Sequence, residues 1–334
     1  MNQKTTLSIS TATILKIFGV AILLWFLWYI RDILILLFVV MILVAALSPL
    51  VEKLYRKRIP RFLSVILIYL LILFFFAFLI YLIVPPVALQ VKELTHNISY
   101  YAEKIAPVYQ QAETSLPALQ KSLESIASSL NKLTTNLWAA AVTIFGGLVS
   151  FVTVLVLTFY LLLERESIIN VLITFLPVAH KDKILSVFQK VGVKIGAWFR
   201  GQLILCLAIG VIDFIILTIF GIPYALVLGI LAGILEVVPT IGPILSAVPP
   251  ILLALAISPW TALLIALSYL GVQQLESQIL VPKIMGKVVG VSPVIIILAL
   301  LIGAKLLGIA GAILAVPIVA TLQVVFTEWR EVKN

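Results

Sequence analysis

Asp213, Glu236 and Glu276 lie in the interval between Arg200 and Lys283, which contains no lysine or arginine. An ionised side chain at membrane depth costs on the order of 2.5–3.5 kcal/mol even on the lenient insertion scale, so acids in an apolar stretch mark a functional site by default. Each of the three must be protonated, face water, bind a cation, or find a partner elsewhere in the chain. Glu236 is the most telling, because Val237-Val238-Pro239-Thr240-Ile241-Gly242-Pro243 breaks the helical pattern directly after it. A second polar cluster, Gln273-Gln274-Leu275-Glu276-Ser277-Gln278, ends a hydrophobic run. At helical spacing Gln273, Glu276 and Ser277 share one face, and Gln274 and Gln278 a neighbouring one. Such groups can replace the hydration shell of a cation or bind a polar solute. They can equally bridge helices, and both readings stay open. The candidate pathway is therefore Glu236, Pro239, Gly242, Pro243, Gln273, Gln274, Glu276, Gln278 and Asp213, with Lys305 as a charge partner or a snorkelling cation.

These residues must be positioned by membrane helices. The chain is 63% hydrophobic and 11% charged, with mean hydropathy +1.24, well above the apolar share of about 45–50% in soluble domains. The expected fold class is an all-α polytopic membrane protein of about eight transmembrane helices, some broken or re-entrant, with an extracytoplasmic helical hairpin. The net charge of +9 gathers in loops between apolar runs, which points to membrane orientation and not to nucleic acid. Cys206 is the only cysteine, so there is no intramolecular disulfide, and zinc spacing is absent; no metal or cofactor is expected. The first apolar run, Ile14 to Ile30, has no small-x-small cleavage site and reads as a retained helix.

Runs long enough to cross a bilayer about 30 Å thick fall at 14–30, 33–50, 62–84, 138–163, 201–220 and 259–281, with shorter or broken ones at 222–238, 243–257, 291–304 and 306–327. Arg31-Asp32 reads as a tight turn between the first two. The loop from Glu52 to Arg61 carries five basic residues against one acid, so it and the N-terminus are expected in the cytoplasm. After N-terminal helices at 1–84, the segment 85–137 has four Lys and four Glu. Val91, Leu94, Ile98, Tyr101, Ile105 and Val108, and then Leu116 to Leu137, repeat a heptad spacing. These are two helices, packing on each other or joining subunits. A membrane helix at 138–163 returns the chain to basic amphipathic helices at 164–200. There Ile184, Phe188, Val191, Ile195 and Trp198 form an apolar stripe among lysines, suited to an elbow between bundles or to anionic lipid. The unit 201–327 and a tail at 328–334 complete the chain.

Within 201–327 prolines and glycines repeatedly interrupt the apolar runs. Proline removes a backbone donor, and non-helical backbone at membrane depth is tolerated only where protein or water covers it. The break at Pro239–Pro243 is either a plain turn or a cavity-lining one, as in many transporters. A modest internal repeat relates Leu228-Gly-Ile-Leu-Ala-Gly-Ile-Leu-Glu-Val-Val-Pro239 to Leu307-Gly-Ile-Ala-Gly-Ala-Ile-Leu-Ala-Val-Pro317.

No Walker A sequence, His-Glu-x-x-His motif or aspartyl dyad occurs, so neither an ATP-driven pump nor an enzyme is expected. The ordered series Arg200-Gly-Gln202, Gly221-Ile-Pro-Tyr-Ala-Leu226, Glu236-Val-Val-Pro-Thr-Ile-Gly-Pro243, Gln273-Gln-Leu-Glu276, Pro282-Lys-Ile-Met-Gly286 and Leu314-Ala-Val-Pro317 resembles the autoinducer-2 exporter family of bacterial membrane permeases. Ser292 and Lys305 depart from that family's usual pattern. The resemblance implies ATP-independent transport in a homo-oligomer, with members linked both to autoinducer-2 export and to sodium or lithium/proton antiport. The expectation is thus a secondary transporter in the bacterial cytoplasmic membrane. It would export a small polar solute, with coupling to a proton or monovalent cation, or act as an antiporter. A reading from another class is a membrane scaffold that uses the heptad helices and membrane lipid for assembly.

Overall fold

A computed structural model describes residues 11–105, 147–164, 181–286 and 292–330. The second heptad helix at 116–137, the start of the run at 138–163 and most of 164–180 lie outside the described residues, as does the tail beyond 330. Among the described residues every regular element is helical. Four helical stretches are long and apolar enough to span a bilayer, Arg31–Tyr55, Arg61–Gln90, Lys183–Ile219 and Val294–Glu328, and shorter apolar helices accompany them. The protein is a multi-pass membrane protein.

Helices α1 (Thr11–Tyr29) and α2 (Arg31–Tyr55) meet at Ile30. Arg31-Asp32 does not reverse the chain there. Ile30 has φ −92° and ψ 9°, its N–H donates to the Phe26 carbonyl, and its own carbonyl accepts from the Leu34 N–H, both at 3.0 Å. The helical ladder therefore passes through the junction with only a kink, since two charged residues cannot break a run whose backbone bonds remain intact. Arg31 instead lies over the Trp28 ring at 4.4 Å. Every side chain from Leu15 to Tyr29 is exposed.

Helix α3 (Arg61–Ile105) continues through Pro85 and Pro86, so the expected exit at residue 84 is not a helix end. Proline holds a helical φ, and losing two ladder bonds bends a helix without forcing it to turn. Near its base, α3 packs with α2 and α4 (Leu148–Leu163) around Val51, Val65, Ile68 and Leu162. Arg61 Nε donates to the Leu162 carbonyl and the Tyr69 hydroxyl to that of Leu155, both at 2.9 Å. Far along α3, Gln90 Oε1 accepts from the Val227 N–H and Asn97 Nδ2 donates to the Tyr224 hydroxyl, both at 3.3 Å.

Helix α5 (Lys181–Ile219) joins the basic amphipathic stretch to the following apolar run with no break at residue 200. The C-terminal part of its stripe is covered by protein, Val191 and Ile195 packing with Ile42 and Leu314 and Trp198 with Leu205, Met285 and Val316, while Phe188 stays exposed. Pro49, inside α2, lacks the amide that would have bonded the Ala45 carbonyl. Arg200 Nη1 fills that gap, donating to Ala45 O at 3.3 Å and Ala46 O at 2.9 Å.

Helix α6 (Ala225–Leu235) folds back along α5, followed by α7 (Ile241–Ile257), α8 (Pro259–Leu275), a π-helical turn (Glu276–Leu280) and α9 (Val281–Met285). Ser258 caps α8 by accepting from the Thr261 N–H at 3.0 Å. A Cβ on Gly229 or Gly233 would stand 2.7 Å from the Gly210 or Cys206 carbonyl, respectively, so these small residues bring α5 and α6 into close contact. The buried core of this unit is centred on Leu217, Val227, Leu228, Leu253, Ala254 and Ile265. The last helix, α10 (Pro293–Arg330), is two arms joined by a sharp kink at Gly308, whose φ is +62°. Its second arm returns beside α5. Lys190 Nζ meets Glu328 Oε1 at 2.6 Å, and Lys194 Nζ donates to Gln323 Oε1 at 2.7 Å. An open groove of about 700 Å³ lies between these two helix ends.

Candidate functional site

The topology of α5 to α8 brings the three acids into one interior. Asp213 is on α5, Glu236 directly follows α6, and Glu276 begins the π-helical turn after α8. Their relative exposures are 1%, 1% and 6%. Because α6 runs antiparallel to α5, Glu236 descends to the level of Gln202, two residues beyond Arg200. Gln202, itself buried, donates from Nε2 to the backbone carbonyl of Glu236 at 2.6 Å. Burial by neighbouring helices withdraws this carboxyl from bulk water.

The carboxyls of Glu236 and Glu276 lie close enough to interact directly, Asp213 acts on Glu236 through space, and Glu276 acts on Asp213. The Tyr269 hydroxyl faces Asp213. Gln273 Nε2 reaches Glu276 Oε2 at 3.5 Å, at the outer limit of a hydrogen bond. No basic side chain pairs with any of the three acids among the described residues. Arg200 is engaged on α2 and Lys283 is exposed.

The turn that carries Glu236 is tight. Thr240 has φ +71° and ψ −49°, a conformation that a β-branched residue adopts only under constraint. A Cβ on Gly242 would run into the Leu235 carbonyl and approach the Glu236 amide. The π-helical turn at Glu276 is a second local irregularity, and π-turns often occur at functional sites. Pro239 and Pro243 are half-buried around the same turn.

Other expected residues lie elsewhere. Gln274 and Gln278 share a face, as their spacing implies, but both are exposed and bond each other at 2.9 Å. Lys305 is exposed on the first arm of α10 and forms no ion pair with the acids among the described residues. None of the acids lines the groove between α5 and α10.

Two polar residues not anticipated as part of the site belong to it, Gln202 and Tyr269, and Trp198 lies about one turn before Gln202 on α5. Among the described residues, the buried side-chain atoms with no hydrogen-bond partner are Trp198 Nε1, Gln202 Oε1, Asp213 Oδ1, both Glu236 carboxyl oxygens and Tyr269 Oη. Leaving such an atom unpaired costs about 1–3 kcal/mol, so their concentration in one region sets it apart from the rest of the interior. Gln202 was visible as a lone amide in an apolar run; Trp198 and Tyr269 were hidden among aromatic residues that elsewhere serve packing.

The family profile described as AI-2E family transporter matches residues 17–331. The chain is 32% identical over 291 residues to a Bacillus subtilis protein provisionally named transport protein YueF, covering 83% of this chain and 79% of that one. A second B. subtilis protein, provisionally named transport protein YrrI, is 30% identical, with 86% and 84% covered. The AI-2 transport protein TqsA of Escherichia coli is 26% identical, with 83% and 80% covered.

Proposed function

This chain belongs to the AI-2E family of transporters, and on that premise we propose that it exports a small polar solute across the bacterial cytoplasmic membrane, coupled to a proton or monovalent cation at Glu236 and Glu276. The observation that carries the coupling is the group of buried acids without a basic partner among the described residues. Such a group requires a positive species to neutralise it, and a site that gains and loses that species can drive a transport cycle. The strained turn from Glu236 to Thr240 would let the site change exposure.

The cargo class follows from the relative TqsA, whose name assigns it AI-2; a furanone of that type is small and polar. The basic loop 52–61 supports a cytoplasmic position for the end of α2 that carries it, and the heptad pattern of 85–137 supports a homo-oligomer.

Proteoliposomes loaded with autoinducer-2 and the internal pH dye pyranine test this reading. The wild-type protein should release the furanone with a matching change in internal pH. Glu236→Gln should abolish both while leaving thermal unfolding in detergent close to wild type. Undiminished release from Glu236→Gln would remove this residue from the mechanism.

A further inference from the structure

We propose that the unpartnered polar atoms along α5 and α8 are bridged by a file of internal water over which protons pass between Asp213 and the Glu236–Glu276 pair; this rests on the transporter reading above. Trp198, Gln202, Cys206 and Asp213 project from one side of α5, since their spacings of four, four and seven residues return to within about 80° around a helix of 3.6 residues per turn. From Trp198 to Asp213 they span about 22 Å of its length at 1.5 Å per residue. Tyr269 and Glu276, seven residues apart, face them from α8 and its π-helical turn.

The two rows run antiparallel. Asp213 stands opposite Tyr269, and Gln202 lies at the level of Glu236 and Glu276. The titratable groups facing this interior are Cys206 and Asp213 from α5, Glu236 after α6, and Tyr269 and Glu276 from α8 and the π-helical turn. The file thus leads from Trp198, near the basic half of α5, towards Asp213 within its apolar half.

Two features identify water as the occupant. The atoms alternate in chemistry, with an indole N–H that only donates, an amide oxygen that only accepts, and carboxyl and phenol groups that can do both. Buried polar atoms of native proteins find partners, and where protein supplies none, ordered water does so. Five of the six such atoms among the described residues belong to Gln202, Asp213, Glu236 and Tyr269 around this interior, and the sixth is the indole nitrogen of Trp198, four residues before Gln202 on α5. In the transfer itself, a carboxyl O–H gives its proton to a neighbouring water, which gives one of its own onward. Each step breaks one O–H bond and forms another, and the last carboxylate takes up the proton.

Hydroxyl-radical footprinting of the intact protein in liposomes reads internal water directly, because radicals form at bound water even where bulk solvent does not reach. Trp198 and Tyr269 are 3% and 8% exposed, and Met285, in the apolar cluster beside Trp198, is 5% exposed. Although methionine sulfur is intrinsically very reactive, Trp198 and Tyr269 should be labelled several-fold faster than Met285. Labelling of both at the slow rate of Met285 overturns the file. Potential-driven proton entry into pyranine-loaded proteoliposomes should fall several-fold in Gln202→Met and, as a second variant of different fold risk, in Tyr269→Phe. Rapid labelling with proton entry equal in all three proteins overturns proton passage. In either failure, furanone release by the wild-type protein that is lost in Glu236→Gln still upholds the transport reading, whereas release that survives this change removes Glu236 from the mechanism without touching the footprint.

Discussion

Glu236 is held by its backbone more firmly than by its side chain. Gln202 grips the carbonyl, Gly242 lets the chain pass against Leu235, and the carboxyl, beside Glu276, makes no hydrogen bond that meets geometric criteria among the described residues. Gly242→Ala should therefore displace the residue, because the new methyl meets backbone that cannot yield. Overpacking of this kind costs about 1–3 kcal/mol, to be read as a lower unfolding temperature in detergent accompanied by weaker release in the proteoliposome assay. An unchanged unfolding temperature would show that the turn has room to spare. The acids themselves were legible in the sequence, since an unpaired carboxylate in an apolar run is conspicuous. Their companions were not: nothing in local spacing places Tyr269 opposite Asp213, or Gln202 beneath a carbonyl 34 residues later. The outward turn of Gln274 and Gln278 was equally hidden, because in a membrane polarity alone does not tell an inward face from an outward one.

The helices show the same division. Their approximate extents follow from apolar run length, whereas their junctions depend on backbone bonding that composition does not reveal. Two charges at Arg31-Asp32 suggested a reversal and the ladder runs straight through; two prolines suggested an exit and α3 continues. Proline's effect on α2 is subtler. It frees the Ala45 carbonyl, and α5 supplies Arg200 to satisfy it. Arg200→Met should cost about 1 kcal/mol, the low end of the penalty for an orphaned acceptor because this one is only part-buried. In a Pro49→Ala background the helix can bond its own carbonyl, and the same substitution should cost much less. A double-mutant cycle of thermal unfolding in detergent measures this, and two purely additive losses would show that Arg200 stabilises the packing by other means.

Across the whole molecule, α2 joins two assemblies, with α3 and α4 on one side and α5 and α10 on the other. The α5–α10 contact ends in the Lys190–Glu328 pair, whose lysine is 52% exposed. Solvent screening at that exposure limits such a pair to about 1 kcal/mol or less. Glu328→Lys should accordingly lower the unfolding temperature only slightly, and a large drop would assign the pair a structural weight that its exposure denies. Apolar contacts such as Ile42, Ile195 and Leu314 hold this boundary instead.

The length of α3 has a structural consequence. Its 45 residues extend about 68 Å at 1.5 Å per residue, more than twice the hydrocarbon thickness of about 30 Å. Its base packs among α2 and α4, and beyond Pro85 and Pro86 it meets Tyr224 and Val227. Those two residues stand at the start of α6, a helix of 11 residues with Glu236 at its opposite end, so a single short helix joins the far part of α3 to the buried carboxyl.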